Sequence, residues 1–232
     1  MTYSDEAYES YRNAILHECY HKWAVQYFDE CGIKRYDLIN RLIKKFNYTN
    51  YLEIGVSTGD NFIKVDCENK TYVNPEQHGY TTHQMTSDEF FAQLPDDAKF
   101  DIIFIDGLHL WEQCYKDIEN SLKHLTPNGI IVCHDMNPLY EMYNSRKPYN
   151  AYFWNGDVWK AFVKIRTERA DIFTCMIEDC DFGLGFICFG EQPLLVLDKP
   201  FEKLSFTDDF SKNKHYLMNT IKINDFFEKT NI

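Results

Sequence analysis

The chain has 232 residues, a net charge of −12 and 44% hydrophobic residues, enough for one large domain or one domain with appendages. An acidic chain with no basic block excludes nucleic acid and anionic membrane surfaces as partners. No uncharged apolar run is long enough for a membrane helix, and the acidic, polar start at Met1 to Glu6 is no secretion signal, so a cytoplasmic protein is expected.

Residues 5–30 read as a helix, with Tyr8, Tyr11, Ile15, Cys19, Trp23 and Tyr27 in one apolar stripe suited to cover the domain or a second copy in a homodimer. Cys31 and Gly32 end it. Inside it lies His17-Glu18-Cys19-Tyr20-His21, a match to the H-E-x-x-H zinc pattern. Ala24 and Tyr27 stand where the extended pattern wants Gly and His, and exposed or capping histidines are the expected reading. The eight cysteines include no Cys-x-x-Cys pair and are expected as buried thiols.

Tyr36 to Phe46 is a second amphipathic helix leading into a short buried strand, Tyr51 to Ile54. Gly55 and Gly59 then form a loop before a helix starting at Asp60. A glycine turn between strand and helix lets a ligand approach bare backbone beside free amides. The Glu-x-Gly-x-x-x-Gly spacing is neither the Gly-x-Gly-x-x-Gly of dinucleotide enzymes nor a phosphate-binding P-loop.

Further strands are expected at Lys70 to Glu76, Thr82 to Met85, Phe100 to Asp106 and Ile130 to Cys133. Thr86 to Glu89 is a capping box, and Leu110 to Leu125 and Val158 to Arg169 keep helical period. Residues 138–156 form a Tyr- and Asn-rich loop of a length that is usually functional. Ile172 to Ile177 and Gly185 to Phe189 read as a hairpin pair, residues 191–208 as irregular, and Phe210 to Phe227 as a closing helix.

Alternating strands and helices argue an α/β fold with a doubly wound, mostly parallel sheet. Ligands bind such sheets outside the carboxyl ends of the strands. There the chain places Gly55 to Asp60, Asn74 to Glu76, Asp106 to His109 and His134 to Asn137. Asp106 and Asp135 would lie side by side and repel unless a cation sits between them. A divalent ion held between Asp106 and Asp135 by oxygen ligands meets that need; paired helix caps are the plainer explanation. His109 and His134 suit general base work, or serve only to orient their neighbours.

Tyr51-Leu-Glu-Ile-Gly-Val-Ser-Thr-Gly59 resembles motif I of class I S-adenosylmethionine-dependent methyltransferases. Phe100 to His109 and Leu125 to Asp135 resemble motif IV and the following strand of that family. With Trp154-Asn-Gly-Asp-Val-Trp159, the set is similar to small bacterial methyltransferases of glycan and secondary-metabolite assembly, relatives of the macrocin-type sugar O-methyltransferases. The resemblance implies a Rossmann-like sheet of about seven strands with an antiparallel last strand. It covers about residues 36–190 as the core and more weakly the tail; the aromatic N-terminal helices over 1–35 are expected as a cap or dimerisation segment, and residues 191–232 as a C-terminal extension packed on the core.

It further implies S-adenosylmethionine as cofactor and Mg2+ as metal. Glu53, Gly55, Ser57 and Gly59 would line the methionine end, Asn74 would meet the ribose, and Ser87 and Asp88 would approach the adenine. Asp106 would close the cofactor site and share the metal with His134 and Asp135. His109, His134 and Asp135 would serve catalysis on a sugar or glycan hydroxyl, with Tyr140, Tyr143, Tyr149, Tyr152 and Trp154 stacking on the acceptor or simply packing. Two positions depart from the family: His134 is acidic in some relatives, and Asn74 stands where Asp or Glu usually takes both ribose hydroxyls. A nicotinamide-dependent oxidoreductase and a non-catalytic S-adenosylmethionine-binding scaffold are the alternatives.

Overall fold

The structure is a computed structural model that describes residues 22–55, 59–77, 79–148 and 154–230. His17, Glu18, His21, Ser57, Tyr149 and Tyr152 lie outside the described residues.

Helix α1 covers residues 22–29, and α2 spans Arg35–Phe46. The strands are β1 (Asn50–Ile54), β2 (Asn69–Asn74), β3 (His83–Gln84), β4 (Phe100–Ile105), β5 (Leu125–Cys133), β6 (Ile172–Ile177), β7 (Leu184–Phe189) and β8 (Thr220–Ile221). The remaining α-helices are α3 (Asp60–Lys64), α4 (Ser87–Gln93), α5 (Trp111–His124), α6 (Trp159–Glu168), α7 (Ser211–Met218) and α8 (Ile223–Thr230). They build one sheet in the order β3-β2-β1-β4-β5-β7-β6-β8. β7 pairs antiparallel with both β5 and β6; every other pairing is parallel.

Period-two alternation sends consecutive strand residues to opposite faces. Ile103 and Ile105 of β4 meet α4, α5 and α6 through Phe91, Ile118 and Phe162. Ile102 and Phe104 face the other way, toward Leu38 and Leu42 of α2 and Phe226 of α8. Because both faces are covered, β1 and β4 are apolar on both sides except at Asn50, Glu53 and Asp101.

The C-terminal expectations shift in detail. The predicted closing helix is two helices, because Asn219 adopts a left-handed φ of 49° after α7 and the chain then pairs as β8. The sheet thus has eight strands, and the expected antiparallel strand is β7 of the 172–189 hairpin, seated between β5 and β6. In the first helix the buried residues are Ala24 and Phe28, while Trp23 of the expected stripe is 65% exposed. Phe28 packs on Phe182 with ring centroids 4.8 Å apart. Among the described residues the cysteines are free thiols, with Cys114, Cys133, Cys175 and Cys180 buried, and no helix is long and apolar enough to cross a membrane.

Candidate active site

The carboxyl ends of β1, β2, β4 and β5 open into a cavity of about 980 Å³. Gly55, Asn74, Ser87, Asp88, Asp106, His109, His134 and Asp135 all line it, as the sequence predicted. Two expected residues do not. Glu53 shares a face of β1 with Tyr51, so it points toward α3. It is fully buried, receiving hydrogen bonds from the Tyr51 hydroxyl and from Asn61 Nδ2 at 3.0 Å. Burial pushes its carboxyl up to about 8 against those two donors. Gly59 starts α3 with φ 82° beside the Tyr80 ring, away from the cavity wall.

Gly55 is required where it stands. Its φ is 76°, and a Cβ would lie 2.4 Å from the Asp106 carbonyl oxygen. This close approach of the β1 and β4 ends opens the floor of the cavity. On one side, Asn74 donates to the Glu76 carbonyl at 2.7 Å, which leaves its Oδ1 as acceptor. Thr86 and Glu89 form the expected capping box. Gln113 Nε2 then reaches Ser87 Oγ at 3.2 Å, Asp88 Oδ1 at 3.1 Å and Asp117 Oδ1 at 3.0 Å. Burial raises Asp117 to about 6.

On the other side the charged groups converge. Asp106 follows β4, and His134 follows β5 with its amide on the Ile105 carbonyl at 3.0 Å. His134 Nδ1 lies 3.2 Å from both Asp106 Oδ1 and Asp135 Oδ2. His109 Nε2 lies 3.5 Å and 3.3 Å from those same two oxygens. Asp135 has a φ of 62°, a left-handed backbone that a non-glycine residue holds only when its surroundings over-determine it. Those surroundings are visible: Asn155 Nδ2 donates to Asp135 Oδ1 at 2.7 Å, and Met136 and Asn137 donate backbone hydrogen bonds to Gly183 and Phe182.

Burial disfavours charge on Asp106, but His134, His109 and Arg35 outweigh it and hold the carboxyl well below the usual range. Burial likewise opposes charge on His109, yet Asp135 and Asp106 raise it to about 9. Burial and Arg35 work to lower His134, and Asp135 and Asp106 overcome them to hold it well above its ordinary value.

Several site residues escaped the sequence reading. Arg35, the first residue of α2, brings Nη1 within 3.6 Å of Asp106 Oδ2. The same atom stands 2.6 Å from Nε2 and 3.1 Å from Nδ1 of His134. Asp181 accepts from the Arg35 backbone amide at 2.9 Å and places Oδ1 3.6 Å from His134 Nε2. Burial opposes its charge, but His134 and Arg35 hold it far below the ordinary range. A lone Arg at a helix start and an Asp in a hairpin turn carry no sequence signal for such roles.

Trp154 to Asp157 support this site, while Val158 and Trp159 enter the core. The Trp154 carbonyl accepts from His109 Nδ1, and its ring lies 5.1 Å from the His109 ring. Gly156 packs against the His109 backbone with φ 66°, where a Cβ would collide. Asp157 accepts from the Trp111 amide at 3.0 Å at the start of α5. Of the loop aromatics expected to stack on an acceptor, Trp154 lines the cavity, whereas Tyr143 is fully buried and off its wall.

Donor atoms from Asp106, His134 and Asp135 lie within 4.8 Å of one another, the expected metal-ligand trio. The trio fits a cation: Asp106 and Asp135 bring anionic oxygens to one point, with a ring nitrogen beside both.

Residues 59–136 match a family model described as a methyltransferase domain. Among proteins of curated function, none matches the chain. In three dimensions the chain is similar to an O-methyltransferase from Bacillus cereus in complex with SAH. The TM-score is 0.52 at 13% identity, over 73% of this chain and 90% of that one. A Klebsiella pneumoniae structure assigned as an O-methyltransferase gives 0.53 at 12% identity, over 73% and 89%. Cofactor-bound Rv0187 from MTB gives 0.51 at 12% identity, over 74% and 89%. The chain has the fold of these proteins, with β7 antiparallel where the dinucleotide-binding sheet has six parallel strands.

Proposed function

We propose that this chain is an S-adenosylmethionine-dependent methyltransferase that methylates a hydroxyl of a sugar or glycan intermediate. The observation that carries the reading is a single cavity holding the glycine turn at Gly55, the polar arm of Asn74, Ser87 and Asp88, and the Asp106/His109/His134/Asp135 cluster.

S-adenosylmethionine, when bound, supplies a methyl group already activated as a sulfonium. The work left to the chain is to align the acceptor oxygen with it, worth several kcal/mol of barrier, and to take the hydroxyl proton. Gly55 offers bare backbone at the methionine end. Asn74 Oδ1 accepts from a ribose hydroxyl, and the Ser87, Asp88 and Gln113 group meets the adenine edge. Glu53 fixes Asn61 at the start of α3. Trp154 supplies a ring face for an acceptor sugar. A divalent cation held by Asp106, His134 and Asp135 would add a Lewis acid for the acceptor hydroxyl.

Six carboxyl residues, Glu76, Asp88, Asp106, Asp117, Asp135 and Asp181, line the same cavity as Arg35. That balance suits a cationic cofactor and a neutral, hydroxyl-rich acceptor.

The test is calorimetric titration with S-adenosylhomocysteine, followed by methyl transfer to a panel of glycans. Micromolar binding and a methylated hydroxyl are expected, and no binding sinks the reading. Asp135→Ala should abolish turnover while sparing cofactor binding; unchanged turnover would remove the cluster from catalysis. If the wild type binds the cofactor yet transfers nothing to any acceptor, the scaffold alternative gains the ground.

A further inference from the structure

We infer that Cys31 and Cys180 are a redox-active thiol pair, which a low-molecular-weight disulfide converts to a Cys31–Cys180 disulfide that clamps the segment carrying Arg35 onto the β6–β7 turn carrying Asp181. Neither thiol lines the large cavity, and their reaction does not depend on what that cavity binds.

The two sulfurs share one acceptor. Cys31 Sγ lies 3.4 Å from the Ile33 carbonyl oxygen, and Cys180 Sγ lies 3.2 Å from the same atom. The two side chains are also hydrogen-bond partners of each other. Closing an S–S bond of about 2.05 Å between sulfurs already in contact needs a shift of only ~1–2 Å. Gly32, beside Cys31, has open space where a Cβ would stand, so the turn has room to make that shift.

The surroundings divide the roles. Cys31 is half-buried and lines a second cavity of about 250 Å³, with Tyr27, Asp179 and Lys222, through which a small oxidant can reach it. Cys180 is fully buried, and burial pushes its thiol up, so it reacts second. Cys31, as thiolate, attacks one sulfur of the oxidant, forming a mixed disulfide and releasing the first small thiolate. Cys180 gives up its proton and attacks Cys31 Sγ, which breaks the mixed bond and releases the second. Two protein thiols are oxidised and one small disulfide is reduced to two thiols. Cys114 and Cys133 also touch, but both are buried in the core, where such an oxidant has no approach.

The new bond falls where the N-terminal segment already docks. Phe28 packs on Phe182 with ring centroids 4.8 Å apart, the Arg35 amide donates to Asp181 Oδ2 at 2.9 Å, and Asp181 Oδ1 faces His134 Nε2. Arg35 and Asp181 are 146 residues apart. A disulfide beside them closes a long loop in the unfolded chain and so favours the folded one. It also fixes the two elements that deliver Arg35 and Asp181 to the large cavity.

The experiment incubates the full-length reduced protein with oxidised glutathione, alkylates the remaining thiols and maps the peptides by mass spectrometry. A Cys31–Cys180 cross-link is expected, reversed by dithiothreitol. The oxidised protein should melt at least about 5 °C above the reduced one. Its Arg35 amide should exchange with solvent deuterium about 10-fold more slowly. Cys31→Ser and Cys180→Ser should each lose the cross-link and the melting shift, while Cys19→Ser should keep both.

No reaction, a glutathione adduct that stays on Cys31, a cross-link to a different cysteine, or an unchanged melting temperature would each overturn the inference. If Cys180→Ser fails to fold, judged by its melting transition, the peptide map of the wild-type protein still decides.

Discussion

Asn155 holds Asp135 in place: its Nδ2 donates to Oδ1 at 2.7 Å, which leaves Oδ2 between His134 Nδ1 and His109 Nε2. Asp135 sits at a left-handed φ of 62° and draws its orientation from this contact. Asn155→Ala is therefore expected to lower kcat by about 10- to 100-fold with cofactor affinity unchanged. Steady-state kinetics beside calorimetry would check it, and equal losses in both would show that Asn155 shapes the whole cavity.

Arg35 stands between two half-buried carboxylates, Asp106 and Asp181, with its own side chain 28% exposed. Arg35→Leu removes the cation and leaves both acids facing each other. Breaking a fully buried pair costs about 3–5 kcal/mol; the partial exposure of Arg35 reduces the expectation to roughly 1–3 kcal/mol. Urea unfolding measures it. Arg35→Lys should recover only part of the loss, because an ammonium cannot span both acids as the planar guanidinium does.

Gly55→Ala meets two obstacles, a φ of 76° and a Cβ 2.4 Å from backbone atoms of Asp106 and Gly107. A stability loss of about 3 kcal/mol is expected, with cofactor binding abolished. Calorimetry at a temperature where the variant remains folded distinguishes the two effects.

Glu53 makes stability fall with rising pH. Its carboxyl ionises near 4.5 in the unfolded chain but holds its proton to about 8 in the folded one. Between those values the folded state binds more protons, so the contribution is complete below about pH 4.5 and is lost as pH rises through about 8. The difference amounts to at most roughly 5 kcal/mol. Glu53→Gln should flatten this decline. Melting temperatures from pH 5 to 9 would show it, and parallel curves for the two proteins would refute it.

The acid-lined cavity should discriminate by charge. A glycan acceptor is expected to show a KM about 10-fold lower than its phosphorylated counterpart. The gap should narrow at high salt as the field of the carboxylates is screened. A phosphorylated acceptor preferred at all ionic strengths would contradict this.

The strands and helices of the core were readable because their signals are local. The apolar runs at 51–54 and 100–105 and the helical period of 111–124 each state their own structure within a few residues. Asn74, Asp106 and Asp135 could be placed at one edge because parallel strands all end on the same side. Glu53 was misplaced by the same logic applied too coarsely: period-two alternation sends it toward α3 with Tyr51, away from the cavity. The break between α7 and α8 was not legible because Asn219 gives no strong sign that it adopts a left-handed turn.

By itself the sequence determined the alternating architecture, the edge at which the cavity opens, and which acidic and imidazole groups stand there. Only the tertiary structure decided that Arg35, Asn155 and Asp181 join them, that His109 turns Nε2 inward, and that Trp154 lines the cavity while Tyr143 is buried. The reason is distance along the chain. Arg35 and Asp181 are 146 residues apart and His109 and Trp154 are 45 apart. Such pairs meet only once β7 has threaded between β5 and β6 and both faces of the sheet have been covered. Local periodicity dictates the elements; the charge balance of the site belongs to their packing.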